Sequence, residues 1–264
     1  MQLLPIIRQI REDHPRMSCR VIYHMITPRY MGRDLFEVFC YSEGFKVDRI
    51  KNHYRTTDSL GVIRFPNLMM DRDELTAVNQ IWVSDITYYQ IGTQVYYITF
   101  ILDLYNRKIV GYCVSKTLRT EDTTLQSLQM AIKKEHIERN SNLIIHSDGG
   151  GQYYSKQFTA LTHFYGMQNS MGTSVFENPH AERINGTIKN DYLIPWAPKN
   201  FEELEGMLTK AVYLYNTIKP HKSLNALSPE QFTNQINNGL LTKTWLINKK
   251  KKVTKKEKVN INII

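Results

Sequence analysis

Cysteine is scarce in this 264-residue chain. Cys19, Cys40 and Cys113 are odd in number and far apart, and no CxxC occurs. Neither a disulfide framework nor a cysteine zinc site is supported, so a reducing compartment, the cytoplasm, is expected. No apolar run approaches the ~18 residues that a membrane-spanning helix needs. The opening "MQLLPIIRQIRED" lacks an apolar stretch followed by small residues, which argues against a secretory leader. The glycine-rich stretch "SDGGGQYYS" is neither GxxxxGKS nor GxGxxG. A nucleotide-cradling loop is therefore rejected. Net charge is also missing from the middle: residues 81–242 hold fourteen basic and fourteen acidic side chains.

What is present is a hydrophobic content of 42% and a charged content of 22%, as in a soluble globular protein with one core and room for a small second domain. The formal charge of +9 is concentrated at the ends. Residues 1–80 contribute +2, and residues 243–264, with eight Lys and one Glu, contribute +7. A neutral centre with basic ends suits a polyanionic partner, although a Lys-rich tail alone need do no more than solubilise.

Along the chain, "LLPIIRQIRED" and "GRDLFEVFCYSEGF" place apolar residues at helical spacing. Residues 8–33, which span the gap between them, carry six Arg and two acids, so residues 1–55 are expected to be a helical, helix-turn-helix-like DNA-binding segment. Residues 56–80 lack periodicity and read as a linker. From residue 81 the texture changes. "IWVSDITYY", "VYYITFILDLY" and "KIVGYCVS" are three β-rich runs, separated by the turn signals "IGTQ" and "NR". A helix follows, with Thr120 as its expected N-cap. Then come the strand "LIIH", the helix "SKQFTALTHFYG" and a fifth strand at "MQNSM". The order β-β-β-α-β-α-β-α describes a mixed α/β sheet with helices on its faces over residues 81–195. Helices at 196–235 open with Asn200 and with Ser228-Pro229. Residues 236–264 are expected to be a basic, disordered tail.

Three carboxylates deserve weighing together. Asp85 interrupts a strand, sharing one face with Val83, Thr87 and Tyr89. Asp148 follows "LIIHS" at the carboxyl end of another strand, where sheet proteins place chemistry. Glu182 lies on a helix in "ENPHAERINGTIKND", with Lys189 seven residues on, two turns along the same face. Singly, each has a bland reading as a surface, capping or turn residue. As a set they repel one another, and make sense only if hard cations neutralise them. Two Mg²⁺ ions there would clamp the oxygens of a phosphoryl displacement, with Lys189 holding the polyanionic substrate.

"WVSDITY", "HSDGGGQYYS" and "ENPHAERINGTIKNDYL", in this order, resemble the catalytic core of retroviral-type integrases and related insertion-sequence transposases, especially the second-reading-frame product of the IS-three group. "HPRMSCRVIYHMI" and "YNTIKPHKSLNALSPEQF" resemble that group's flanking segments, so the likeness covers residues 8–233. The resemblance implies an RNase H-like mixed five-stranded sheet preceded by a small helical domain. It implies catalytic, metal-holding roles for Asp85, Asp148 and Glu182 with Mg²⁺ (Mn²⁺ able to substitute). DNA contacts are expected from Lys189, Arg183, Asn185, Arg16, Arg20, His221 and Lys222. Thirty-three residues separate Asp148 from Glu182, fewer than is usual in that family, so a shortened loop is expected at "MGTSVFEN".

The expected activity is metal-dependent DNA cleavage and strand transfer for an insertion element. The expected setting is the cytoplasm, at the nucleoid. DNA is the partner, with oligomerisation on it and fusion to, or association with, an upstream-frame DNA-binding protein. A nuclease of the same fold that only hydrolyses is the rival enzyme, and a DNA-binding remnant of a decayed element the non-enzymatic rival.

Overall fold

In the computed structural model, which describes residues 3–48, 64–70, 72–172 and 178–247, the chain begins with three short helices. These are α1 (Leu3–Asp13), α2 (Cys19–Ile26) and α3 (Arg33–Ser42). Their apolar faces close round Ile7, Met17, Ile22, Phe36 and Cys40, and the Ser18 side chain caps α2 by accepting from the Val21 amide. The unit docks on the rest of the molecule. His14 Nδ1 lies 2.9 Å from the Tyr192 hydroxyl, and Lys210 pairs with Asp13 at 2.8 Å.

The remaining elements are β1 (Glu74–Leu75), β2 (Ile81–Ile91), β3 (Gln94–Asp103), β4 (Ile109–Ser115), α4 (Thr124–Lys134), β5 (Ile144–Ser147), α5 (Lys156–Phe164), β6 (Gln168–Met171), α6 (Pro179–Ile188), α7 (Ile194–Trp196), α8 (Phe201–Thr217), α9 (Pro229–Asn237) and β7 (Trp245–Leu246). β2 to β6 form one sheet in the order β4-β3-β2-β5-β6. β2, β3 and β4 are antiparallel neighbours, whereas β5 runs parallel to β2 and to β6. The expected β-β-β-α-β-α-β-α order is the observed one. Gly92, at φ +58°, supplies the positive dihedral that the tight β2–β3 turn requires.

Strand alternation splits the core in two. Ile81 and Val83 enter a cluster covered by α6, α8 and α9. Trp82, between them, enters the opposite cluster under α4 and α5. On that second face α4 lies directly on β4, where a Cβ at Gly111 would meet the Ser127 carbonyl oxygen at 2.1 Å.

Three expectations need correction. α4 begins at Thr124, with Thr123 at its N-cap position, not at Thr120. The Thr123 hydroxyl donates to the Arg119 carbonyl and Asp122 accepts from Thr117, so side chains hold residues 120–123 in a turn that competes with the helix. The linker expected at 56–80 is, in its described part, built into the fold: Leu75 is buried and the Leu68 amide donates to Ser170 Oγ. The same holds for the first part of the expected tail at 236–264. β7 pairs with β1, and Trp245 Nε1 donates to the Tyr105 carbonyl. An isolated tryptophan and leucine carry no periodicity, so local sequence gave no sign of this strand. The disorder expected of residues 248–264, and the loop at 173–177, lie outside the described residues.

Candidate active site

Register brings the first two acids together. β2 and β5 are parallel, with Ser84 opposite Ser147 as the last pair. The next residues, Asp85 and Asp148, therefore follow side by side on strands spaced about 4.8 Å apart. β5 ends there, whereas β2 continues as far as Ile91. Asp85 thus sits mid-strand at a notch where its neighbour stops, which is why a strand can carry it.

α6 lies across this same face and brings Glu182. Ala181, Ile184 and Ile188 face the sheet in the buried cluster, leaving Glu182 exposed in the first part of the helix. Three side-chain contacts fix α6 and the turn that continues it on β2. Asn185 Nδ2 donates to Asp85 Oδ2 at 2.8 Å, Lys189 Nζ to Thr87 Oγ1 at 3.2 Å, and the Tyr89 hydroxyl to the Leu193 carbonyl at 3.1 Å. Steps of two along a strand and four along a helix both advance about 6 Å, so helix and strand stay in step over three contacts. Lys189 opens a π-turn through Leu193, and its ammonium also stands 4.7 Å from the centre of the Tyr88 ring.

Asp85 lies within the field of both other acids. The Asp85 carboxyl is pushed up to about 7, first by burial and then by Asp148, with Glu182 adding to the push; the Ile86 amide and the Asn185 side chain oppose it. Asp148 is raised by the protein around it against one Gly150 amide; it is itself solvent-exposed, which screens the effect. Among the described residues no three Asp, Glu, His or Cys side chains already converge on one point. The acids are within electrostatic reach but are not drawn round an ion. Their donor set is all carboxylate oxygen, the chemistry of a hard divalent cation, and a cation is what an acid crowded by two others lacks. The residues fit such an ion.

Two further residues support the site, and both lie inside motifs already singled out by sequence. Asn178, at the N-cap position of α6, makes no side-chain cap; its Nδ2 instead donates to the Ser84 carbonyl at 2.8 Å. Tyr153 is buried with its hydroxyl 2.9 Å from Ser84 Oγ. Because the Ser84 hydroxyl gives its hydrogen to the Phe100 carbonyl, Tyr153 is the donor. Asn before Pro is a capping signal, but nothing local marks that it will be spent on a strand.

Residues 76–174 match an integrase core domain, and residues 167–229 match a second description of the same domain. This chain carries an integrase core. An uncharacterised 31 kDa protein of insertion element IS600 from Shigella sonnei is 30% identical over 170 residues, 63% of this chain and 61% of that protein. The transposase of insertion sequence IS904 from Lactococcus lactis is 28% identical over 211 residues, 79% of this chain and 81% of the relative. Against several curated relatives the chain spans only about half to three-fifths of their own length, between 52% and 61%. Among solved structures, a simian T-cell lymphotropic virus intasome in complex with a PP2A regulatory subunit aligns with a TM-score of 0.50 and 17% identity, covering 81% of this chain and 74% of that one. That likeness concerns the fold alone.

The other expected DNA-contacting residues are dispersed around the integrase core. Asn185 is buried and engaged with Asp85. Arg20 is ion-paired with Glu37 at 2.7 Å, and Arg16 donates to the Asp48 carbonyl; both belong to the N-terminal unit. Arg183, His221 and Lys222 come together in one cavity on the far flank of α6.

Proposed function

We propose that the chain is the catalytic part of an insertion-element transposase, which cleaves DNA at the element ends and joins the freed 3′-OH to a second phosphodiester. The observation that carries this reading is Asp85, an acid at a strand notch beside Asp148 and under the field of Glu182. Asp85, Asp148 and Glu182 would hold divalent ions, Mg²⁺ in preference and two in the full site, which would supply Lewis-acid stabilisation of charge on the reacting oxygens. The chain's own residues do the rest. Asn185 aims the Asp85 carboxylate by a hydrogen bond, and Asn178 fixes the start of α6 so that Glu182 faces the same opening. Lys189, half-buried beside Thr87, is held at charge height above the sheet to meet a phosphate of the substrate. The N-terminal helices, with Arg16 and Arg20, contribute to holding DNA. The protein works at the nucleoid in the cytoplasm as an oligomer on DNA, joined to or associated with the product of an upstream frame.

The test is strand cleavage and end-joining on an oligonucleotide duplex carrying the element end, with Mg²⁺. Asp85→Asn, Asp148→Asn and Glu182→Gln should each reduce both reactions by about a hundredfold or more, with circular dichroism unchanged. A Glu182→Gln protein that cuts at the parental rate would remove the third acid from the site. Cleavage without joining would replace a transposase by a hydrolytic nuclease.

A further inference from the structure

α6 has two flanks, and only one faces the acids. On the other lies a cavity of about 600 Å³, walled by α6, the end of α8 and the β3–β4 turn, within the size range of ligand sites. Its basic lining is Arg107, Arg183, Lys219, Lys222, His180 and His221, with the Tyr215 phenol beside them and without a single carboxylate. Lys219 is already paired with Asp191 at 2.9 Å. Arg183 and Lys222 make no ion pair among the described residues.

Arg107 is built in, not draped over the surface. It occupies the left-handed region at φ +61°, where a branched or long side chain is strained and Gly or Asn would be easier. The turn is nevertheless held in place: the Arg107 amide donates to the Asp103 carbonyl at 2.9 Å. The guanidinium carbon lies 5.2 Å from the Trp245 ring centre, and Nη1 is 3.2 Å from His180 Nδ1. Arginine only donates, so His180 Nδ1 accepts and the ring proton sits on Nε2. His221 completes the wall. A cationic concavity with no acid is arranged for an anion.

We propose that this cavity is a phosphate-binding subsite that grips the backbone of a DNA duplex on the flank of α6 away from the acids. The occupant follows from continuity. Arg183 and Thr187 line both this cavity and the shallow depression containing Glu182, so one polyanion can run from one flank of the helix to the other. The identification of that polyanion as DNA rests on the function proposed above; the presence of an anion site does not.

The experiment uses the full chain carrying Asp85→Asn, so that binding is read without cleavage. Affinity for a duplex is measured over a salt series with and without the further pair Arg183→Gln and Lys222→Gln. A second protein carrying Lys133→Gln and Arg139→Gln, exposed residues at and beyond the end of α4 on the opposite sheet face, controls for lost charge. Loss of one phosphate contact should flatten the slope of log affinity against log salt by about 0.9. Affinity at low salt should fall about tenfold, and the control should change far less. In a parallel arm, inorganic phosphate is titrated while the imidazole NMR signals of His180 and His221 are followed. Shifts that saturate in the parent and vanish in the Arg183/Lys222 variant support the subsite. Saturable shifts with an unchanged DNA slope would overturn the backbone assignment in favour of a free phosphate. No shift and no slope change would overturn the subsite altogether. The function itself fails by a different result, cleavage that survives Asp85→Asn.

Discussion

His14 joins the N-terminal helices to the core, and its titration should be visible as a pH-dependent weakness. The residue is buried, with 3% of its surface exposed. Burial and then Lys219 lower its pKa from 6.5 to about 4. Its Nδ1 meets the Tyr192 hydroxyl while Nε2 has no partner, so an imidazolium there would bury an unmatched charge. The folded pKa lies below the unfolded one, so the unfolded chain takes up the proton first. Stability is fully present above pH 6.5 and is lost as pH falls toward 4. At pH 5 the ring is about 1.5 pH units below its unfolded pKa, which at about 1.36 kcal/mol per unit is ~2 kcal/mol, or about 1–2 after allowance for screening by nearby solvent. The test is a difference of differences, because Asp103, raised to about 6 by burial, gains stability over part of the same range and would mask a raw pH profile. Urea unfolding of the parent and of His14→Gln is compared at pH 7 and pH 5. The parent should lose about 1–2 kcal/mol more than the variant between the two. Equal losses would show that His14 is not held neutral by the fold.

Three other outcomes follow from contacts already described. Asn185→Leu removes the only side-chain hydrogen bond to Asp85 among the described residues; a hydrogen bond to a charged group is worth about 1.5–3 kcal/mol, so cleavage should fall about ten- to a hundredfold with duplex affinity retained, and an unchanged rate would remove Asn185 from the site's support. Gly111→Ala puts a methyl group into the Ser127 carbonyl, and should cost about 1–3 kcal/mol by pushing α4 off β4; a neutral result in thermal unfolding would mean that α4 shifts freely. Deleting residues 248–264 removes seven lysines and one glutamate; if half the lysines meet phosphates, the salt slope of duplex binding should flatten by about three units, whereas an unchanged slope would leave the tail a solubilising segment.

Much of this molecule was legible before any coordinates. The period-two runs at 81–115 and the helical spacings around them specify side-chain faces that local geometry must obey, and the sheet with its helices appears where they place it. Of the three proposed acids only Asp85 stands out locally, as an acid inside a strand; Asp148 and Glu182 have ordinary turn and helix readings singly and gain meaning only as a set. Capping residues such as Ser228 marked helix starts correctly, since a cap satisfies amides only two or three residues away. Thr120 failed for the same reason in reverse: a side-chain turn at 120–123 outcompeted the helix locally. What the tertiary structure alone decided are relations between distant segments. The parallel register of β2 and β5 sets Asp85 beside Asp148, and no residue near either one encodes that alignment. Asn178 and Asn185 look like a cap and a polar helix position until the packing of α6 points them at β2. The strand Trp245–Leu246 forms only because β1 offers an edge to it. The cationic cavity is the clearest case, since Arg107, Arg183 and Lys222 come from a turn, a helix and a loop whose charges are unremarkable one by one. Strand register and helix docking are set by the burial of whole faces, so they belong to the assembled core and not to any stretch of sequence.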